Sequence, residues 1–223
     1  MEQYNWQSVK ELFEKLNADC NYLILRNFEC MKDDNIFTEG HEDIDILCED
    51  ARQIVKLMDA RPRRSYDNKV QYYILLQGQK VKIDLRHVGD KYYDPVWQAK
   101  MLENRQFHEL GFYVMKEEDY FYSLIYHSVL QKKALSEDYR ARLEKMAEQN
   151  GVSGKDEKSF LALLEAFMSE NDYYYWYPED STIPNRFGLV SADRRKGYAA
   201  WCIHKGKHLP VRAVSFLKHK VGG

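Results

Sequence analysis

No apolar stretch among the 223 residues is long enough to span a bilayer, which excludes a membrane-crossing helix. The opening, MEQYNWQSVKELFEKL, lacks a cationic start followed by an apolar run, so no signal peptide is expected and the expected location is cytoplasmic. The four cysteines (Cys20, Cys30, Cys48 and Cys202) are scattered, with no C-x-x-C pair. That spacing points to reduced thiols rather than to a zinc site or a disulfide framework. Neither sign of charge is in excess: 33 Lys and Arg stand against 35 Asp and Glu, a formal net charge of −2. This balance makes nucleic acid an unexpected partner, although it allows a local basic patch. Internal repeats and low-complexity segments are absent too. What is there is 44% hydrophobic and 30% charged, the make-up of a globule with a real core. The length allows one large domain or two small ones. The 17 tyrosines serve packing, or the stacking of sugars and bases.

Hydrophobic periodicity divides the chain near residue 115. In the first part, residues 1–115, Ser8 caps a helix over Ser8–Leu16 that carries Val9, Leu12, Phe13 and Leu16 on one face. Tyr22–Arg26 reads as a buried strand, Asn27–Gly40 as a loop, Ile44–Cys48 as a second strand and Glu49–Ala60 as a helix. Val70–Leu76 and Lys80–Val88 are β-rich runs, and the short join Gln77-Gly78-Gln79 predicts an antiparallel hairpin. Pro95 opens a helix reaching about Asn104, and Phe107–Met115 reads as a strand or hairpin. In the second part, 116–223, the spacing predicts helices over Glu117–Lys133, Ser136–Gln149 and Asp156–Ser169, then an aromatic and basic tail. The predicted class is α+β: a mixed sheet with flanking helices, followed by a helical domain.

The chemistry concentrates in EDIDIL. Asp43 and Asp45 are two apart on a strand and share a face, while Ile44, Ile46 and Leu47 can enter the core. The expectation is a pair of carboxylates at a strand's exposed end. Like charges this close repel unless a cation resolves them, and hard oxygen ligands suit Mg²⁺ or Mn²⁺. Asp84 in KVKIDLRHV alternates with Val81, Ile83 and Leu85, so it faces away from the apolar side of another strand. Three acids on neighbouring strands are what two-metal phosphoryl transfer needs. Taken alone, a D-x-D pair also fits an ordinary solvent-facing strand.

The stretch YLILRNFE…EGHEDIDILC…VKIDLRHV resembles the polymerase-β-like nucleotidyltransferase superfamily, in its small-molecule or minimal type, over roughly residues 20–90. The shared pattern is a strand, a loop, an apolar-Asp-apolar-Asp-apolar strand and a third acid on a later strand. The helical part is similar in kind to the helical domain that often follows in such enzymes. The resemblance implies transfer of a nucleoside monophosphate from an NTP donor to a small-molecule acceptor such as a sugar or surface-polymer precursor. It implies metal binding by Asp43 and Asp45, and metal binding or general-base action by Asp84. In one respect the chain departs. The family's Gly-Ser pair after the first strand is matched by Arg26-Asn27, with no glycine. A backbone cradle for phosphates needs glycine. Arg26 and Asn27 would then supply side-chain contacts to the donor. The alternatives are a phosphotransferase with a CDP-linked donor, as in choline-phosphotransferase and fukutin-like relatives, or a non-catalytic nucleotide-binding module.

Other candidates each carry a plainer reading. Arg86 shares the face of Asp84, and either stabilises charge on the transferring phosphate or forms an ion pair with Asp84. His41 stands two before Asp43, where loop histidines are more often structural. The loop Gly89–Asp94 suits acceptor recognition or simple turn formation. Tyr126, His127, Gln131, Lys132 and Lys133 fall on the first helix of the second part, with His127 and Gln131 on one face. Lys132 is a candidate phosphate contact; a solvated helix end is the alternative. Tyr173–Tyr177 lines an acceptor pocket or packs a junction. Between Arg186 and Lys220 there are nine Lys or Arg and one acid, Asp193, so the tail either meets a polyanion or balances the acidic first half.

Overall fold

A computed structural model describes residues 3–31, 43–63, 70–180, 182–203 and 206. The first element pair is strand β1 (Asn5–Trp6) and helix α1 (Val9–Asp19). Ser8 caps α1 by accepting from the Glu11 backbone N–H, and Val9, Leu12, Phe13 and Leu16 are its buried face. Next come β2 (Tyr22–Ile24), β3 (Asp43–Cys48), α2 (Ala51–Leu57) and β4 (Arg61–Pro62). A hairpin of β5 (Gln71–Leu76) and β6 (Gln79–His87) follows. Gln77 and Gly78 both hold positive φ, 51° and 76°, which the tight primed hairpin turn requires. Helix α3 (Pro95–Glu103) has Asp94 as N-cap and Pro95 at its start. The short strands β7 (Gln106–Phe107) and β8 (Tyr113–Val114) form the hairpin read from Phe107–Met115.

These strands make one mixed sheet in the order β1-β5-β6-β3-β2-β8-β7, with β4 paired to β5. At its centre β3 runs parallel to β6 and antiparallel to β2. The chain is thus α+β, as its pattern predicts. Ile44, Ile46, Leu47, Val81, Ile83 and Leu85 are all at most 1% exposed, so the central strands bury their apolar faces fully.

Three further helices follow: α4 (Glu117–Ile125), α5 (Glu137–Gln149) and α6 (Glu157–Glu170). Here the structure corrects the sequence reading. The helix expected over Glu117–Lys133 ends its α-form at Ile125 and continues as a π-turn over Tyr126–Leu130. Lys132 and Lys133 lie beyond it. The wider turn breaks the 3.6-residue period, and the buried Tyr126, Val129 and Leu130 hold it against the core. The Tyr173–Tyr177 run packs rather than lining a pocket: Tyr173 stacks on Trp97 at 5.7 Å, and Tyr175, fully buried, stacks on Tyr126 at 5.8 Å. Among the described residues no helix is long and apolar enough to cross a membrane. His41, together with Lys205, Lys207, Arg212, Lys218, Lys220, His204, His208 and His219 of the basic tail, lies outside the described residues.

Candidate active site

Register builds the floor of the site. Asp45 of β3 lies directly beside Asp84 of β6, and Asp43 stands two residues earlier on the same face. One carboxylate oxygen from each of the three lies within 4.8 Å of the others. Asp45 is not at an exposed end, as the sequence suggested, but 3% exposed. The strand carries it inward because Ile44, Ile46 and Leu47 continue into the core on both sides of the sheet's centre. Burial, and then the Asp45 charge, push the Asp84 carboxyl up to about 6. Burial also raises Asp45, against the pull of Arg26 and with the help of Asp43.

Arg26 is the first of two buried guanidinium groups beside this floor. The chain leaves β2 at Ile24, and Leu25 still donates its N–H to the Asp45 carbonyl at 2.8 Å. Arg26 then places Nη2 at 2.8 Å from Asp45 Oδ1. Glu29, three residues on, pairs instead with Arg142 at 3.5 Å. Asn27 takes a left-handed φ of 63° and accepts from Arg142 Nη1 at 3.2 Å. Asparagine is among the few side chains that adopt this backbone readily, so the turn needs no glycine.

Arg86 is the second. Its ion pair runs to Asp180 at 3.2 Å and not to Asp84. The carboxylate is held for it, since Asp180 accepts from both the Thr182 N–H, at 3.0 Å, and the Thr182 hydroxyl, at 2.6 Å. Both guanidinium groups lie against the Tyr92 ring, Arg86 at 4.3 Å and Arg26 at 5.7 Å from its centre. The Gly89–Asp94 loop forms the turn considered for it. Asp90 fixes the turn by accepting from the Tyr92 N–H at 2.9 Å and from Gln98 at 2.7 Å, and Tyr92 reaches the site.

Among solved structures, the chain is similar to an antigenic nucleotidyltransferase-like protein from Paracoccidioides brasiliensis. The two are 15% identical with a TM-score of 0.44, and the match covers 74% of this chain and 91% of that one. No family model and no curated protein sequence matches.

All these groups open on one cleft of about 480 Å³. It brings together all seven candidates of the sequence: Asp43, Asp45, Asp84, Arg26, Asn27, Arg86 and Lys132. His127 and Gln131 line it too. Sequence reasoning missed Gln71, Tyr139, Asp180, Thr182, Ile183 and Pro184. Gln71 was within reach, since it faces Asp84 across the hairpin. Asp180 gave no signal, because nothing local marks an acid 94 positions away as the partner of Arg86. Two polar atoms here are buried without a hydrogen-bond partner, Asp84 Oδ1 and Arg86 Nε. Arg63 is 3.9 Å from Asp84 Oδ1, beyond hydrogen-bond reach. Such atoms are rare in folded proteins and mark places where a ligand, water or ion completes the site.

Proposed function

We propose that the chain is a metal-dependent nucleotidyltransferase, moving a nucleoside monophosphate from an NTP to a hydroxyl of a small acceptor such as a sugar or surface-polymer precursor. One observation carries the reading. Three carboxylates converge within 4.8 Å on paired strands, in a cleft that also holds Arg26, Arg86 and Lys132.

The acids fit a divalent cation. Their mutual repulsion and the unpartnered Asp84 Oδ1 both call for positive charge, and all three offer hard oxygen ligands. Asp43, Asp45 and Asp84 would hold Mg²⁺ or Mn²⁺. Bound there, the ion would offset charge on the transferring phosphate and acidify the attacking hydroxyl. Arg26 engages one oxygen of Asp45 and leaves the second as the ligand atom. Arg86 and Lys132, which both line the cleft, would bind phosphate oxygens. In the transfer, the acceptor oxygen forms a bond to the α-phosphorus as the bond to pyrophosphate breaks. The hydroxyl proton would pass to Asp84 where Asp43 and Asp45 alone hold the ion, and to solvent where all three do.

The loop after β2 favours a CDP-linked donor as the second reading. Asn27 is buried where a glycine would let the backbone approach a triphosphate. Melting temperatures measured with each NTP and with CDP-linked donors, in Mg²⁺, Mn²⁺ or EDTA, decide between them. NTP stabilisation that requires the metal is expected. Stabilisation by CDP-linked donors alone selects the second reading, and equal NTP binding in excess EDTA overturns the metal-dependent one.

A further inference from the structure

The wall facing the aspartates carries a histidine that phosphate binding does not use. His127 is 7% exposed and lines the cleft. Its Nδ1 lies 3.0 Å from the Tyr92 hydroxyl and 3.2 Å from Gln131 Oε1. The other end of the Gln131 amide orients it. Gln131 Nε2 donates to the Tyr92 backbone carbonyl at 3.0 Å, and a carbonyl can only accept. The atom facing the imidazole is therefore the amide oxygen, and a hydrogen bond to it requires the proton on Nδ1. The opposite tautomer would set two acceptors against each other at 3.2 Å. The Tyr92 hydroxyl oxygen can accept from that Nδ1–H, whereas with the proton on Nε2 the same hydroxyl would donate to Nδ1.

Burial holds the imidazole pKa well below its ordinary value, and the nearby Arg26 and Lys132 charges add to this. A neutral ring protonated at Nδ1 keeps its lone pair on Nε2. Among the described residues none donates to Nε2, and it is not among the buried atoms sealed without a partner.

From the Gln131 amide we propose that His127 carries its proton on Nδ1 and that its Nε2 accepts a hydrogen bond from a substrate hydroxyl, so that this wall of the cleft seats a sugar ring. An ionised phosphate oxygen offers no proton and would meet a lone pair there. Tyr139, edge-on to His127 with ring centres 5.7 Å apart, also lines the cleft and adds an aromatic surface. The ring is either the ribose of the nucleotide or a sugar of the acceptor. The inference rests on the transfer reading only in taking this cleft as the substrate site.

Histidine-selective ¹H–¹⁵N correlation spectra of the intact chain test it. The expected state is neutral with the proton on Nδ1, and Gln131→Leu should release the ring to a mixture of tautomers. A proton on Nε2 in the wild type overturns the proposal. The probes are the four NTPs with Mg²⁺, their 2′,3′-dideoxy analogues, and free glucose, galactose and mannose. Nucleotide binding itself is read separately from melting temperature, so failure of the transfer reading remains distinguishable. An Nε2 shift with ribonucleotides but not dideoxy analogues identifies the ribose; a shift with a free sugar identifies the acceptor. If no probe moves Nε2, the proposal falls. Two variants then separate recognition from structure, because an Asn amide occupies the place of Nδ1 and a Gln amide that of Nε2. His127→Asn should weaken the responding probe by about two- to tenfold and His127→Gln much less. The reverse order would show that the ring serves only the wall.

Discussion

On the sheet side of the cleft, main-chain pairing places the acids: Asp45 sits beside Asp84 because β3 and β6 pair in that register. Around that floor, side chains place one another. Arg86 reaches an acid 94 positions away, and Gln131 reaches the Tyr92 carbonyl from 39 positions away. The two constructions respond differently to substitution. Replacing a floor carboxylate changes charge and leaves the ladder intact, because the ladder's hydrogen bonds are all main-chain. Replacing one of the side chains around it leaves a buried partner unsatisfied, at a cost of about 1–3 kcal/mol.

The largest expected effect lies on the floor. Asp43→Asn and Asp45→Asn should each abolish the melting-temperature rise given by NTP with Mn²⁺. Each should reduce transfer by more than the roughly 10–100-fold typical of a partner outside the ligand set. In stability the two should part. Asp43→Asn relieves repulsion and should be neutral or slightly stabilising. Asp45→Asn removes the charge that compensates buried Arg26, and should cost up to about 3 kcal/mol. Unfolding of the Asp43 variant, or wild-type turnover in either, would make these acids structural.

Arg26 belongs to both sides, which makes it the sharper probe. Arg26→Ala should lower stability by about 3 kcal/mol, since Asp45 is left buried without its partner. Mn²⁺ should then raise the melting temperature more than in the wild type, because the Arg26 charge no longer repels the ion. Donor affinity should also fall by about tenfold or more, with little change for the acceptor. Calorimetric titration of Mn²⁺ and of nucleotide checks both. A variant with an unchanged metal response would show the pair to be independent of the metal site.

This contrast also explains what could be read from the sequence. The period of two fixes that Asp43, Asp45 and Asp84 face one way, and the Gly-containing turn fixes the hairpin that carries Asp84. Those signals are local and concern the backbone. The depth of Asp45 was not legible, because burial depends on what covers a strand. Nor was the end of α4, since its π-turn is held by packing of Tyr126, Val129 and Leu130 rather than by any breaker residue. Asp180 and the Gln131 amide orientation are set by partners distant in sequence, and periodicity carries no trace of them.

The smallest expected effect is a pH dependence in which the two sides oppose each other. In metal-free protein the folded Asp84 has its pKa raised to about 6 from an ordinary 3.8. The folded state therefore binds its proton first, and this group adds stability as pH falls through that window. His127 does the reverse. Its folded pKa lies well below the ordinary 6.5, so the unfolded chain takes the proton first as pH drops below 6.5. Stability from this group is present above that pH and is lost below it. His127→Gln removes one titration and leaves the other. Urea unfolding in EDTA at pH 7 and pH 5.5 should then show the variant losing about 1 kcal/mol less than the wild type over that interval. Equal losses would mean that the folded imidazole takes up its proton as freely as the unfolded one. The wall would then be open to water, and Nε2 would not be the fixed acceptor proposed for it.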